Sequence, residues 1–557
     1  MLVSALLIFY NLMLAFAMGL IFIKLISKSI NQVSPVIHPT LVVLSGWVFM
    51  AILLQSYHLF FRVDGYAHVF ILACIILALS LQFKSLLKDA VASLHAISSK
   101  QHIAVGVLML LLVILNIVQR KADGDIGDYH LQAIRWIEEY AAVPGLGNIR
   151  RQLGNNSNWF LLNAFSGMHF LGLRSLYTIN AGLVIMVALF VTPHLKQRFW
   201  LRNFILLLYF TVIATRKYTG AVTNDLIITS GIVLLFSWFV DLMDTQSVKH
   251  TELLLLALLA LGLITFKLSA LPLGIFAAGV LWVLYKQVGF QLKSVGVILV
   301  FVLLLFIPWL THNVMNSGYL LFPVKGTNIF AVDWQMRPEI VNYEVYANLA
   351  YARAPQVDIE VARYFTLSQW WPHWIASLDV FSMILLVGGV GFILFLGVEL
   401  LINPTFRQYF KKHQYWIIAI TCLVALYLWF THGPTPRFVF GYLVFLIAMG
   451  LGLINRVWMQ QLLHKHMLNL CLFFMVVMLL LQVKNIVNQH KVGVVAILPP
   501  PYHQPQLKTF GVSGGVLYVP DTNQQCWDAL LPCTNLPDSG LQFRGATLQQ
   551  GFSIKAN

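Results

Sequence analysis

Charged side chains are scarce in this sequence, since Asp, Glu, Lys and Arg make up 10% of the 557 residues while hydrophobic residues make up 59%. A soluble domain carries about a quarter charged residues, so this composition excludes an ordinary water-soluble fold. Apolar runs of roughly 20 residues, enough for one membrane-spanning helix, recur between residues 1 and 483. These runs lack the alternation that a β-barrel requires. We therefore expect an all-α polytopic membrane protein with about 14 transmembrane helices.

Acidic residues are fewer still, 21 against 36 Lys and Arg, and the formal net charge is +15. The bases are scattered through short loops and form no aromatic-interleaved patch, which argues against nucleic-acid binding. Lys and Arg collect in cytoplasmic loops of membrane proteins. The threading that obeys this rule puts the N-terminus outside, together with all the acids except Asp89, Asp241, Asp244, Glu252 and Glu399. Acid–base chemistry is therefore expected on the outer face.

Cysteine is also rare, and three of the five residues, Cys74, Cys422 and Cys471, stand singly in apolar runs. A thiol in such a place behaves as a small buried hydrophobe. Cys526 and Cys533 instead flank the turn-prone segment WDALLP near the C-terminal end. A close pair in an oxidising compartment favours a disulfide. A zinc site is the alternative, although two cysteines without a nearby histidine pair fit it poorly.

Three groups of membrane helices alternate with three polar segments along the chain. The helix groups are expected within residues 1–120, 175–311 and 379–484. The polar segments are a first periplasmic loop with amphipathic helices, a second periplasmic loop and a small C-terminal periplasmic cap, at residues 121–174, 312–378 and 485–557. No fixed-period repeat is visible.

Acidic residues that could take part in catalysis lie at the outer ends of two predicted membrane helices. KADGDIGDYH holds Asp123, Asp125 and Asp128, and such crowding raises at least one pKa and suits a general base or a cation site. A solvated loop loosened by glycines is the alternative. Asp225 begins the span in TNDLIITS, where the helix dipole also favours an acid. A helix-terminus role therefore stays open for Asp225.

Cationic candidates for binding a phosphate on the same face are Lys267, Arg353 and Arg437. Lys267 lies in FKLSALPL between two apolar runs, where a charge is costly unless it faces protein, water or a ligand. Arg437 follows two prolines in HGPTPRFVFGYL, and a guanidinium binds phosphate oxygens bidentately. The alternatives are a snorkelling residue for Lys267 and an interfacial anchor for Arg437.

Several segments together resemble a known class of enzymes. Asp125 precedes Tyr129 by four residues, as an acid precedes a tyrosine in the first external loop of the multi-span glycosyltransferases of the C-type (GT-C) fold. That class includes lipid A aminoarabinose transferases and protein O-mannosyltransferases. From about Asp123 onwards the chain is similar to a bacterial membrane protein family related to this class, in the segments YHLQAIRWIEEYAAVPGLGNIRRQLGNNSNWFLL, TNDLIITS, FKLSALPL, NSGYLLFP, PRFVFGYL and CWDALLPCT.

The resemblance implies transfer of a sugar from an undecaprenyl-phosphate carrier to a glycan, lipid or protein acceptor. The reaction would take place at the periplasmic face of the bacterial inner membrane, with inversion and without a covalent enzyme intermediate. Asp125 would be the general base, and Asp225 would orient the acceptor or a divalent cation, Mg or Mn. Lys267 and Arg437 would face the donor phosphate.

Further loop residues follow from the same resemblance. Tyr129 and His130 would lie beside the acceptor. Many members of the class carry a second acid directly after the first, where this sequence has Ile126. Asp128 or Asp123 would take the place of that second acid.

Two other classes of function fit the same composition. A transporter or flippase of lipid-linked sugars also needs many helices, but it places polar residues near the bilayer midplane and often contains internal repeats. A polysaccharide polymerase or ligase takes a lipid-diphosphate donor, and the sequence hardly separates it from a transferase that uses a lipid monophosphate.

Overall fold

The fold is predominantly helical in a computed structural model of the chain. The structure describes residues 1–119, 124–172, 176–192, 199–245, 249–458, 464–488, 498–521 and 525–555. Asp123, one of the three predicted loop acids, lies outside the described residues.

Helices account for most of the described chain. Those before the second polar segment are α1 (Leu2–Ser29), α2 (Pro39–His58), α3 (Gly65–His95), α4 (Lys100–Gln119), α5 (Leu131–Glu139), α6 (Leu146–Ile149), α7 (Asn158–Gly167), α8 (Ile179–Val191), α9 (Trp200–Ala214), α10 (Asp225–Thr245), α11 (His250–Ile264), α12 (Leu273–Val288) and α13 (Leu292–Ser317). The later ones are α14 (Pro338–Arg353), α15 (Ile359–Ala362), α16 (Leu367–Ser377), α17 (Val380–Ile402), α18 (Pro404–Lys412), α19 (Trp416–His432), α20 (Phe440–Trp458) and α21 (His464–Asn488).

Nine helical segments among the described residues are long and apolar enough to cross a membrane. They are Leu2–Ser29, Pro39–His58, Gly65–His95, Lys100–Gln119, Asp225–Thr245, Leu268–Val288, Leu292–Ser317, Val380–Ile402 and Met467–Asn488. The pair α18 and α19 is a further candidate, bent by 91°, and four shorter apolar helices lie at Ile179–Val191, Trp200–Ala214, His250–Ile264 and Phe440–Leu453. The chain is thus a multi-pass helical membrane protein, because helices satisfy their backbone hydrogen bonds internally. This confirms the predicted class, while the number of fourteen spans stays a prediction.

Close helix packing is clearest between α1 and α2. A Cβ atom at Gly19 would lie 1.9 Å from the carbonyl oxygen of Val42, and one at Gly46 would lie 1.7 Å from that of Ala15. Only glycine allows two helix backbones to approach so closely, as is usual in membrane bundles. At the centre of the bundle, α10 is almost wholly enclosed by other helices, whereas most of α17 faces outward. The first residue of α10 is Asp225, so this acid stands on the inside of the bundle.

Connecting segments meet at one end of the bundle, which we call the loop end. Backbone hydrogen bonds there join the end of α2, the segment after α4, the end of α13 and the C-terminal strands. They run from Ala142 N to His58 O, from Gly145 N to Met315 O and from Phe552 N to Pro144 O. Ion pairs add two links between the segment after α13 and the C-terminal residues, Arg337 with Asp538 at 2.7 Å and Arg544 with Asp333 at 2.6 Å.

The opposite end of the bundle has its own contacts. Arg202 pairs with Asp241 at 2.9 Å, and the hydroxyl of Tyr409 donates to Asp244 at 3.0 Å. All four residues belong to base-rich segments that the charge pattern of the sequence assigns to one side of the membrane.

The predicted second loop differs from the structure at its start. Helix α13 continues to Ser317, although the sequence predicts that the loop begins at residue 312. His312 and Asn313 are buried in the last turns of α13, where their ring and amide nitrogens contact the carbonyl oxygens of Gln55 and Leu320. Polar residues whose partners come from other segments therefore extend the helix beyond its apolar run.

The C-terminal residues form a small cap built on two hairpins. Strand β1 (Leu507–Val512) pairs antiparallel with β2 (Gly515–Pro520), and β3 (Leu541–Phe543) pairs with β4 (Phe552–Ile554). A disulfide joins Cys526 to Cys533. Apolar side chains of the cap pack against the segment after α4 in one cluster formed by Trp136, Val143, Leu146, Ile149, Leu153, Leu517, Leu531, Leu541 and Phe552.

Candidate functional site

A cavity of about 380 Å³ lies at the loop end of the bundle. Predicted site residues that line it are Asp125, Asp128, Tyr129, His130, Asp225, Lys267 and Arg437. Residues separated by more than 300 positions in the sequence therefore face one space. Arg353 is not among the lining residues, and its guanidinium instead lies 5.1 Å from the ring centre of Trp370. The structure thus does not bring Arg353 to the site that the sequence predicted for it.

Four charged side chains in the cavity form a continuous series, which we call the charged network. Arg437 Nη2 donates to Asp125 Oδ2, and Lys267 Nζ donates to Asp225 Oδ1. Arg437 Nε lies 3.5 Å from Asp225 Oδ2, so the guanidinium bridges the two acids. The alternating charges offset one another in this partly buried place, where an unpaired charge would be costly.

The turn that carries Asp125 has an unusual backbone. Residues Ile126–His130 form a single turn of π-helix, and the Asp125 side chain makes no capping hydrogen bond to it. The carboxylate is therefore directed to Arg437 and not to the turn. Single π-helical turns occur frequently at functional sites.

Cap residues hold this π-helical turn from outside. Trp527 N donates to Gly127 O at 2.8 Å. A Cβ atom at Gly127 would lie 2.4 Å from Gln525 Oε1 and 2.6 Å from the Trp527 ring, so only glycine fits here. Because Trp527 follows Cys526, the disulfide segment is placed directly against the turn that positions Asp125.

The start of α10 places the second acid. Thr223 Oγ1 accepts a hydrogen bond from Asp225 N and donates one to Asp225 Oδ2, both at 3.3 Å. The hydroxyl of Thr223 is thus the partner of the first helical N–H, while the Asp225 carboxylate, in a residue that is 7% exposed, is held by Lys267. A role at the helix terminus was the alternative for this acid, and its carboxylate contacts instead lie in the cavity.

Lys267 reaches the cavity from the short connection between α11 and α12. Residues Leu268–Ala270 form a 3₁₀ turn there, and the Lys267 ammonium lies 4.3 Å from the ring centre of Phe438 as well as on Asp225. The side chain therefore points to protein partners and does not snorkel towards an interface.

A family model with the description "Domain of unknown function (DUF8201)" matches positions 1–444 of the sequence. The match includes all four residues of the charged network. The chain belongs to this family. Neither the curated proteins nor the solved structures gave a match. The DUF8201 match ends before the cap, which therefore lies outside the part of the chain that the family model describes.

Several cavity residues of this DUF8201 protein were missed by the sequence reasoning. Glu344 on α14 lines the cavity and accepts hydrogen bonds from Arg151 Nε at 2.6 Å and Asn348 Nδ2 at 3.1 Å. Arg150 Nη2 pairs with Asp128 Oδ1 at 2.5 Å. The polar residues at positions 344, 348 and 351 have helical spacing, and this spacing was the sequence signal that could have indicated the polar face of α14.

A divalent cation, Mg or Mn, was one of the partners predicted for Asp225 in this DUF8201 protein. Across the described ranges there is no group of three His, Cys, Asp or Glu side chains that could hold a metal ion. Asp225, predicted to orient the acceptor or a divalent cation, and Asp125, predicted as the general base, are bridged by the Arg437 guanidinium.

Charge in the network lowers the pKa of the loop acid. Burial alone would raise the pKa of Asp125, but the positive charges of Arg437 and Lys267 outweigh it and hold the pKa below its ordinary value. Crowded carboxylates predicted a raised pKa in this loop. That prediction concerned at least one of the three loop acids, and Asp125 is not the one, because its carboxylate has cationic partners that the local sequence does not contain.

His130 supplies a pH-dependent prediction for the DUF8201 protein. Burial lowers its pKa to about 4 from 6.5, so the neutral ring stabilises the fold above pH 6.5 and this contribution is lost as the pH falls towards 4. Between pH 7 and pH 5 we expect wild type to lose about 2 kcal/mol more of its free energy of unfolding than the variant His130→Gln does. Thermal unfolding in detergent at both pH values measures the difference.

A histidine far from the cavity provides the control for this measurement. His95 is exposed at the end of α3, so His95→Gln should behave as wild type does. Equal losses of stability in wild type and in His130→Gln would contradict the burial of a neutral ring.

Proposed function

We propose that this protein is a membrane glycosyltransferase with a C-type fold, which moves a sugar from an undecaprenyl-phosphate carrier to a glycan, lipid or protein acceptor. The observation that carries the proposal is the ion pair of Asp125 with Arg437 in one cavity at the loop end. A carboxylate and a guanidinium are the two groups that such a transfer needs, one for the acceptor hydroxyl and one for the lipid phosphate.

The proposed topology has fourteen spans with the loop end in the bacterial periplasm. Nine long helices, the bent pair and four shorter apolar helices together give this number. Segments in contact at the loop end are separated by even numbers of these helices: two (α3 and α4), six (α8 to α13) and four (α17, α19, α20 and α21). Even numbers are required if contacting segments lie on one side of a membrane. Base-rich connections at the opposite end favour the cytoplasm for that end.

The donor phosphate would bind between Lys267 and Arg437. Both cations line the cavity and each is already paired with an acid. A lipid phosphate near the headgroup level brings its anionic oxygens to these cations, which stabilise the phosphate as it leaves.

The chemical step is a direct displacement at the anomeric carbon of the sugar. The acceptor hydroxyl oxygen forms a bond to this carbon, and the bond between the carbon and the phosphate oxygen breaks with its electron pair on the leaving polyprenyl phosphate. The hydroxyl proton moves to the Asp125 carboxylate. Configuration is inverted because one displacement takes place.

The ion pair suggests how Asp125 becomes available as the base. While Arg437 holds the carboxylate, the pKa of Asp125 stays low, and a carboxylate with a low pKa is a weak base. A donor phosphate competes for the same guanidinium. Movement of Arg437 towards the phosphate raises the pKa of Asp125 and frees it for the acceptor, so donor binding precedes proton transfer.

Purified protein with an undecaprenyl-phosphate sugar labelled in the sugar tests the proposal. We expect release of undecaprenyl phosphate and appearance of the label on an added acceptor fraction. Movement of the labelled lipid across a vesicle membrane without any transfer would instead identify a flippase. Turnover of a lipid-diphosphate donor alone would identify a polymerase or ligase.

A further inference from the structure

The cavity has a second group of polar residues besides the charged network. They come from the segment before α7 and from α14, and they include Asn155, Asn156, Glu344 and Asn348. Amide and carboxylate groups of this kind hydrogen-bond hydroxyl groups as both donors and acceptors. Aromatic rings line the same cavity at Phe160, Trp309 and Phe322. Apolar faces with a few placed polar groups are typical of sites for small organic ligands.

Glu344 is the member of this group whose side chain is held most firmly in place. Its residue is only 2% exposed, yet it lines the cavity. Arg151 and Asn348 each donate to one of its two carboxylate oxygens, so the carboxylate is held in one orientation before any ligand arrives. The Arg151 guanidinium is itself placed 4.7 Å from the ring centre of Tyr343 on α14. A preorganised acceptor binds a ligand hydroxyl with less ordering cost than a mobile one does.

Charge in the cavity is compensated pair by pair. Among the described residues, each of the four acids that line it contacts a cation: Asp125 with Arg437, Asp225 with Lys267, Asp128 with Arg150, and Glu344 with Arg151. A phosphate can take its place on Lys267 and Arg437. The part of the cavity near Glu344 then offers hydrogen bonds without net charge, which suits a neutral ligand better than a charged one.

We propose that Glu344, Asn348, Asn155 and Asn156 form a subsite that recognises the hydroxyl groups of a neutral sugar. This inference rests on the proposed function, because it assigns the sugar part of the lipid-linked donor to this part of the cavity. The subsite determines specificity, whereas the charged network binds the phosphate and transfers the proton.

Binding of two lipids to the full-length protein in detergent tests the subsite separately from the reaction. The probes are undecaprenyl phosphate and undecaprenyl-phosphate glucose, titrated against wild type and Asn348→Ala. Wild type should bind the glucose-bearing lipid about tenfold more tightly, since the glucose hydroxyls form hydrogen bonds with the subsite that undecaprenyl phosphate lacks. Asn348→Ala should lose most of this preference and keep its affinity for undecaprenyl phosphate.

A residue of the same type on the same helix serves as the control. Asn342 lies on α14 and is not among the lining residues, so Asn342→Ala should retain the wild-type preference. A second variant, Asn156→Ala, should resemble Asn348→Ala. Because Asn348 is exposed, its replacement leaves the packed core untouched.

The outcomes separate this inference from the proposed function. Equal preference for glucose in wild type, Asn348→Ala and Asn156→Ala would overturn the subsite, as would a wild type that binds both lipids equally. If an undecaprenyl-phosphate amino sugar binds more tightly than the glucose lipid, the inferred preference of the subsite for a neutral sugar is overturned. If wild type binds neither lipid, the transferase proposal itself fails.

Discussion

Sugar transfer is expected to fall by about 10²–10⁴-fold when Asp125 is replaced by Asn, the range that a positioned general base contributes. The amide has the size of the carboxylate and still accepts a hydrogen bond from Arg437, but it cannot take the proton of the acceptor hydroxyl. Binding of undecaprenyl phosphate should persist, because Lys267 and Arg437 remain. Initial rates with a labelled donor, together with a titration of undecaprenyl phosphate, measure both quantities.

An acid outside the cavity controls for the loss of a single ion pair. Asp521 pairs with Lys508 at 2.6 Å in the cap, and Asp521→Asn should transfer sugar at the wild-type rate. Asp128→Asn should have a smaller effect than Asp125→Asn, because Asp128 is held by Arg150. Full activity of Asp125→Asn in a normally folded preparation would remove Asp125 from the role of base.

Replacement of Arg437 by Gln should weaken binding of undecaprenyl phosphate by at least about 30-fold, or about 2 kcal/mol. The guanidinium is the group that we assign to the phosphate, and glutamine has neither its charge nor its paired donors. Loss of this charge also removes one of the causes that lower the pKa of Asp125. The acidic limb of the pH–rate profile should therefore move to higher pH in any residual activity.

Arg353 offers a matched control for the arginine replacement. The sequence placed Arg353 with Arg437 as a phosphate-binding candidate, yet its guanidinium lies over Trp370 and not in the cavity. Arg353→Gln should leave the affinity for undecaprenyl phosphate unchanged. A larger loss of affinity in Arg353→Gln than in Arg437→Gln would show that the phosphate binds elsewhere.

The charged network could be predicted in part from sequence because each member stands at the end of an apolar run. Asp125, Asp225, Lys267 and Arg437 all interrupt or adjoin hydrophobic segments, where a charge needs a reason. The alternation of base-rich and base-poor loops then assigns all of them to one face. Topology alone was therefore enough to expect them near one another, although it did not indicate which acid pairs with which cation.

Glu344 and Arg353 mark the limit of such reasoning. Both lie on α14, a helix with a mixed polar surface, and a single sequence does not indicate which face of it turns to the cavity. Packing of α14 against the segment of Arg151 decides this, and that packing depends on contacts over almost 200 positions. The helical spacing of positions 344, 348 and 351 identifies a stripe but not its partner.

The contact of the cap with Gly127 could not be predicted from the sequence either, because it also joins two distant segments. Gly127 stands in a glycine-rich segment, and flexibility is the usual explanation for glycine in a loop. The structure instead gives steric exclusion as the reason, since the Trp527 ring occupies the space where a side chain would begin. A close approach of this kind becomes visible only when two distant segments are placed together.

The contact between Trp527 and Gly127 affects the order in which the site is completed during synthesis. Chains are synthesised and fold from the N-terminal side, and the contacting residues of cap and turn are about 400 positions apart, as for Gln525 and Gly124. When α21 has been synthesised, the nascent chain already contains all four residues of the charged network. Its π-helical turn still lacks the contact with the Trp527 indole. The segment synthesised after α21 thus completes the bracing of this turn, and under the proposed function a newly inserted chain would transfer sugar only after synthesis has passed Trp527.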